Sequence, residues 1–207
     1  KYNTGIGLSS NSLGSTYENS SGLGYDADAT ASNAIQLGYA SISSLKCQVA
    51  LTVTSDERFK KNISAEKVHG LDFILKLTPV TYNYDIRAYE RWKYEKYKEI
   101  SDGSWETKYD IDQIQFSGFI AQDVEQIAQE IGYDFSGVDA PKNENDTYGL
   151  RYSEFVVPLV KSTQELYQII ENQRQSIAKQ KQLLSKHEEI IAQLSNRLEA
   201  VEDLIKE

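Results

Sequence analysis

Methionine is absent from this chain of 207 residues, cysteine occurs once, histidine twice and proline three times. Each scarcity removes a class of structure or chemistry. A single cysteine, Cys47, closes no intrachain disulfide, and with His69 and His187 as its only companions it assembles no Cys/His zinc site. The fold is therefore expected to rest on packing alone, with no metal and no cofactor. No run approaches the roughly 18 to 20 apolar residues that a membrane span requires, and no basic n-region followed by an apolar h-region opens the chain. Positive charge is also scarce: 22 Lys+Arg against 31 Asp+Glu leave a formal charge of −9. Non-specific nucleic-acid affinity comes from Lys and Arg displacing condensed counterions, so no nucleic-acid partner is expected. A chain that starts at Lys1 and holds no methionine is expected to be a piece of a longer polypeptide.

What is present changes twice along the chain, which predicts three segments: 1–50, 51–152 and 153–207. The first is rich in Ser, Asn, Ala and Gly. An apolar residue followed by glycine recurs as Ile6-Gly7, Leu13-Gly14, Leu23-Gly24 and Leu37-Gly38, at uneven intervals. Short strands turning sharply at glycines suit that pattern, each too thin to bury its apolar residue without stacked neighbours or partner chains. A flexible leader is the alternative. Within it, Ser21 to Ser41 (SGLGYDADATASNAIQLGYAS) resembles the head repeats of trimeric autotransporter adhesins and phage fibre shafts, which implies a β-solenoid or β-prism stub.

The middle segment has a globular mixture and predicts an α+β domain. Leu51–Thr54 reads as a short strand, and Val68, Leu71, Ile74 and Leu75 as a helix stripe that Thr78-Pro79 stops. Val80–Ile86 and Gln113–Ile120 read as strands, followed by a helix with Val124, Ile127, Ala128 and Ile131 on one face and Gly132 at its end. Arg87–Lys98 interleaves basic and aromatic residues, but Glu90, Glu95 and Glu99 nearly cancel its charge, so a hairpin or helix that contacts protein is expected.

The last segment carries the strongest pattern. Leu159, Thr163, Leu166, Ile170, Gln173, Ile177, Gln180, Leu184, His187, Ile191, Leu194, Leu198, Val201 and Ile205 follow alternating steps of 4 and 3, an a/d heptad seam. Three polar d residues, Gln173, Gln180 and His187, argue against a plain dimer pattern, because buried polar side chains usually fix register or oligomer state. A homotrimer is the expectation, partly because the first segment also needs partners.

Conventional catalytic sets fare poorly. His69 falls in a helix stripe and His187 in the seam, and the pairs Asp110/Asp112 and Glu144/Asp146 lack the spacing of a calcium loop. One stretch stands apart, Thr54 to Ile63 (TSDERFKKNI). A serine acts as a nucleophile without histidine when a lysine amine takes its proton, and Lys60 or Lys61 is in range of Ser55. On an α-helix an offset of five places Lys60 about 140° from Ser55, so the two meet only across a turn or from a strand end. The structural alternative makes Ser55 the N-cap of a helix whose first turn holds Asp56 and Glu57.

TSDERFKKNI is similar to the signature that opens the C-terminal intramolecular chaperone domain of phage tail spikes and fibres, the endosialidase-type peptidase family. Ser117–Glu125 (SGFIAQDVE), Leu77–Tyr84 (LTPVTYNY) and Gly149–Leu166 (GLRYSEFVVPLVKSTQEL) resemble its later motifs in the same order. The resemblance implies a domain that trimerises, registers three copies of the fibre segment of the same polypeptide, and cuts itself off as an autoproteolytic serine endopeptidase. It implies Ser55 as nucleophile, Lys60 as general base, Asp56 and Arg58 as positioning residues, and Thr54-Ser55 as the bond cut. It further implies a virion protein assembled in the host cytoplasm, meeting a host receptor only through its upstream region. The segment Arg87–Tyr109 is then the candidate arm that grips the nascent shaft. A trimeric fibre tip or adhesin that keeps the domain uncut is the competing expectation.

Overall fold

The computed structural model describes residues 2–11, 17–97 and 105–206. The Leu13-Gly14 step, Lys98 and Glu99 lie outside the described residues, as do the side chains of Glu95 and Ile205. The chain is mixed α+β and ends in a long helix. Two compact units divide it: residues 1–67 with 76–155, and residues 68–75 with 156–207. The composition break near residue 50 falls inside the first unit.

That unit begins with three short parallel strands, β1 (Thr4–Ile6), β2 (Ser21–Leu23) and β3 (Ile35–Leu37), paired in the order β1-β2-β3. The register aligns Ile6 with Leu23 and Leu23 with Leu37. Each strand therefore ends on the apolar-glycine step seen in the sequence. Gly7, Gly24 and Gly38 follow with φ of 132°, 120° and 76°, a region that side chains strain to adopt. They also stack: a Cβ on Gly7 would lie 2.3 Å from the Gly24 carbonyl oxygen. Among the described residues these strands close no barrel and build no solenoid; within one chain they form a single parallel ladder. One residue run after β2 is unusual, because Asp26, Ala27, Asp28 and Ala29 are all buried.

Leu51–Thr54 forms no strand. It lies in an exposed stretch without regular structure, and Leu51 and Val53 are each 84% exposed. A β-branched run becomes a strand only where a partner edge is available. The edges nearby pair elsewhere: β4 (Val80–Tyr82) runs antiparallel to β5 (Phe116–Gly118), with Val80 opposite Gly118. Both predicted strands are thus trimmed, and Ile86 opens a helix, α2 (Ile86–Tyr97), in place of ending one. α3 (Ala121–Glu130) buries Val124 and Ala128, as its apolar stripe predicts, and Gly132 terminates it at φ 70°. A last antiparallel pair, β6 (Val138–Asp139) with β7 (Gly149–Leu150), precedes a 3-10 turn at Tyr152–Phe155. Phe135 and Phe155 meet edge to face with centroids 4.9 Å apart, and Phe119 stacks on Phe155 at 5.3 Å. These rings supply the apolar core beneath β6 and β7.

The second unit joins a single-turn helix, α1 (Leu71–Ile74), to α4 (Val156–Lys206), 51 residues long. Pro158 is tolerated because it sits in the first turn of α4, where its missing N–H has no intrahelical acceptor. The Glu165 carboxylate accepts a 2.8 Å hydrogen bond from the Leu71 N–H, satisfying one orphan donor of α1. Phe73, not the predicted Leu75, is the buried residue of α1; Leu75 is 77% exposed. His69 precedes α1, where the sequence placed it within a helical stripe, and Asp72 Oδ2 accepts from its Nδ1 at 2.6 Å. Every seam residue from Ile170 to Leu198 is exposed in the single chain. An apolar stripe of that length needs cover.

Candidate functional site

The stretch around Ser55 is positioned by a short turn whose chemistry is set by Asp56. Glu57–Phe59 forms one turn of 3-10 helix, with Phe59 N–H bonded to the Asp56 carbonyl at 3.1 Å and Lys60 N–H to that of Glu57 at 3.0 Å. Asp56, not Ser55, is the N-cap: its Oδ1 accepts the Arg58 N–H at 2.9 Å. The Arg58 guanidinium returns to the same carboxylate, Nη2 to Oδ2 at 2.6 Å and Nε to both oxygens at 3.1 Å. That bidentate contact holds the Asp56 carboxyl below its ordinary value and raises the Arg58 guanidinium. Both groups are locked as ions, and neither exchanges a proton near neutral pH.

With the cap taken by Asp56, the Ser55 hydroxyl is left for another partner. Lys60 Nζ donates to Ser55 Oγ at 2.7 Å. The turn explains why an offset of five works. A 3-10 turn reverses the chain between the two residues, so that Lys60, extended at φ −105° and ψ 143°, projects back toward Ser55. It is Lys60, not the alternative Lys61, that makes this contact. The four residues Ser55, Asp56, Arg58 and Lys60 thus form two interlocked pairs within one turn. Thr54 and Ser55, the residues of the expected cleavage point, are both exposed.

A second polar centre in the same unit has no counterpart in the sequence analysis. Lys93 on α2 is buried, with its Nζ 2.8 Å from Asp26 Oδ2 and 3.2 Å from Asp28 Oδ2. One turn earlier, Glu90 binds Lys108 Nζ at 2.6 Å and accepts the hydroxyls of Tyr39 and Tyr109, each at 2.8 Å. Burial opposes ionisation of Glu90, but the hydrogen bonds from Lys108, Tyr39 and Tyr109 outweigh it and hold the carboxyl below its ordinary value. Burial likewise opposes charge on Lys93, and the Asp26 hydrogen bond with the Asp26 and Asp28 charges raises its amine nonetheless. Glu90 therefore meets Lys108, and Lys93 bridges the Asp26 and Asp28 carboxylates, so these two charges of α2 find partners outside the helix. The signal that would have found it was the buried Asp-Ala-Asp-Ala run, but alternation with alanine reads equally well as a solvated turn.

The acidic pairs Asp110/Asp112 and Glu144/Asp146 serve loops. Asp112 accepts the Ile86 N–H at 3.2 Å, and Asp146 accepts the Thr30 hydroxyl at 2.7 Å and the Lys142 N–H at 3.1 Å. Among the described residues no group of three or more His, Cys, Asp or Glu is placed to hold a metal ion.

Comparison with known proteins adds one finding. Residues 55–133 match the family model described as chaperone of endosialidase, so the match opens on Ser55 and takes in the turn from Ser55 to Ile63 and the segments at Leu77–Tyr84 and Ser117–Glu125. No curated protein and no solved structure matches the chain. The family implies a chaperone of tail fibre or spike trimerisation and is associated with autoproteolytic peptidase activity. From the Ser55 turn through β4, α2, β5 and α3, this chain carries an endosialidase-type chaperone domain.

Proposed function

We propose that this protein is an intramolecular chaperone that trimerises, registers a phage tail fibre or spike, and then cuts itself at Thr54-Ser55 with Ser55 and Lys60 as a catalytic pair. The observation that carries the reading is the 2.7 Å contact of Lys60 Nζ with Ser55 Oγ, made at the first residue of the family match. Lys60 in its neutral form takes the Ser55 hydroxyl proton, and Oγ adds to the Thr54 carbonyl carbon. The tetrahedral adduct collapses with the Thr54-Ser55 C–N bond broken and the proton on Lys60 passed to the leaving nitrogen. Thr54 is then esterified to Ser55 Oγ. Water adds to that ester and splits it, leaving a carboxylate on Thr54 and a free amine and hydroxyl on Ser55. Asp56 and Arg58 position the turn, since both are committed to one another.

Both members of the pair are exposed in the single chain. A lysine becomes a base only when its charge is disfavoured, which desolvation or a neighbouring cation provides. Cover from a second and third copy supplies that desolvation and couples cutting to assembly. Two features support a homotrimer: the exposed seam of α4, including Ile170, Ile177, Leu184, Ile191, Leu194 and Leu198, and the exposed Ile6, Leu23 and Leu37 at the strand ends. The polar seam residues Gln173, Gln180 and His187 fix its register. A coiled coil of local contacts forms fast and raises the effective concentration of chain ends that must pair slowly and non-locally. The N-terminal strands are the stub of the fibre being registered, and the finished protein belongs to the virion.

Intact mass and denaturing electrophoresis on the wild type, Ser55→Ala and Lys60→Ala test this reading. Fragments of 54 and 207 − 54 = 153 residues in the wild type alone are expected. Full cleavage in Lys60→Ala would remove Lys60 from the pair. The exposure of Ser55 and Lys60 favours one second reading, a trimeric fibre tip or adhesin that keeps the domain. Intact chain in all three samples, with trimers by light scattering, selects it.

A further inference from the structure

Cleavage at Thr54-Ser55 would divide the first compact unit along an exposed linker, and the contacts that hold that unit together lie elsewhere. Residues 42–55 are all exposed and contribute nothing to a core. Residues on either side of the bond, by contrast, meet in a buried cluster. Lys93 of α2 reaches Asp26 Oδ2 and the Asp26 carbonyl oxygen, at 2.8 and 3.3 Å, and Asp28 Oδ2 at 3.2 Å. Tyr39 donates to Glu90 at 2.8 Å and meets Tyr89 edge to face. Tyr25 packs edge to face on Trp105 with centroids 5.6 Å apart. A further patch adds Thr30 to Asp146 at 2.7 Å and Asn143 to the Thr30 carbonyl at 2.8 Å. All of these join residues 25–39 to residues 89–146, so each crosses the bond that is cut.

We propose that residues 1–54 remain bound to the chaperone after the chain is cut, held by a clasp in which Lys93 pairs with Asp26 and Asp28 while Tyr39 donates to Glu90, which Lys108 holds in place from the chaperone side. Cutting and release are then separate events, and the occupant of the clasp is the Asp26-Ala27-Asp28 loop of this same chain. The inference rests on the proposed self-cleavage for its place in assembly, though not for its geometry. Three physical arguments support retention. The partners are already in place when the bond breaks, so cutting forfeits no contact. The ions are buried, so salt screens them weakly. Separation would expose the Asp26 and Asp28 carboxylates and the Lys93 ammonium group that now satisfy one another, and removing either side alone leaves a buried charge uncompensated.

The test uses the full chain with Ser55→Ala and a site-specific protease sequence in place of residues 44–50, so that the cut does not depend on self-cleavage. After protease treatment, native size-exclusion chromatography with intact mass is expected to show both fragments in one peak, at low salt and at 1 M sodium chloride. Immediate elution of the N-terminal fragment alone would overturn the proposal and leave self-cleavage untouched. Failure of the wild type to cut itself would overturn the self-cleavage reading and leave this result standing. Lys93→Met in the same background is expected to speed fragment loss at least about a hundredfold. Tyr39→Phe, which removes one hydroxyl, is expected to speed it about tenfold. Restoring neutrality with Asp26→Asn and Asp28→Asn beside Lys93→Met is expected to recover part of the retention. Unchanged loss in both Lys93→Met and Tyr39→Phe would show that this cluster is not the clasp.

Discussion

Residues 51–63 and residues 86–113 lie in one compact unit and treat their polar side chains in opposite ways. In the first, Ser55, Arg58 and Lys60 are exposed, the partners lie within five residues of each other, and the turn is complete in itself. In the second, Glu90, Lys93 and Lys108 are buried, and Lys93 finds its nearest carboxylate, Asp26, 67 residues away. A local, solvated arrangement forms early and keeps its charges hydrated, so it carries little desolvation cost. A distant, buried one forms only when the whole unit has folded, and losing one member is expensive. The chain thus keeps the exposed Ser55 turn apart from its buried polar contacts.

The comparison breaks most completely at Ser55. Ser55→Ala is expected to abolish cleavage while leaving the buried cluster and the melting profile intact, with intact mass and circular dichroism as the two readings. Lys60→Ala is expected to slow cleavage about 10²- to 10⁴-fold, the range of a lost general base, read as the fraction cut over time. The opposite outcome is expected at the buried centre. Lys93→Met leaves Asp26 and Asp28 facing each other without a cation, and denaturant unfolding is expected to show a loss of about 3–5 kcal/mol. A smaller loss is expected from Gly24→Ala. Its φ of 120° strains any side chain and its Cβ would meet Gly38 at 3.1 Å, which together cost about 1–3 kcal/mol in the same measurement.

Acid sharpens the contrast by the smallest margin. Glu90 and Asp146 have carboxyls held below their ordinary values of 4.5 and 3.8. A group whose folded value is depressed contributes stability that is fully present above the unfolded value and is lost as pH falls through the folded one. Thermal unfolding is therefore expected to be flat from pH 7 to about pH 5, and to lose stability on further acidification. Glu90→Gln is expected to flatten part of that acid slope. An unchanged slope would show that Glu90 does not carry it.

Several elements could be read from the chain directly. The apolar-glycine steps at Gly7, Gly24 and Gly38 mark the three strand ends, because positive φ is a local demand that glycine answers. The stripe of α3 and the long helix α4 appear where periodicity places them. The strand expected at Leu51–Thr54 does not form, and the helix from Ile86 overrides an alternating pattern. Both errors have one cause: a strand is defined by the edge it pairs with, and pairing is a property of the assembled unit.

By itself, then, the sequence determined the local features: glycine turns, helix faces, the heptad seam, and the serine and lysine five residues apart in a motif resembling a known chaperone family. Tertiary structure decided the rest. It brought Lys93 to Asp26 and Asp28 and left Leu51–Thr54 without an edge to pair with, whereas the cap at Asp56 and the Ser55–Lys60 contact were decided within one turn. The reason is physical. Periodicity and turn chemistry act over a few residues, whereas desolvating a charge is tolerated only when its partner arrives from elsewhere in the fold, and no local pattern specifies which partner that will be.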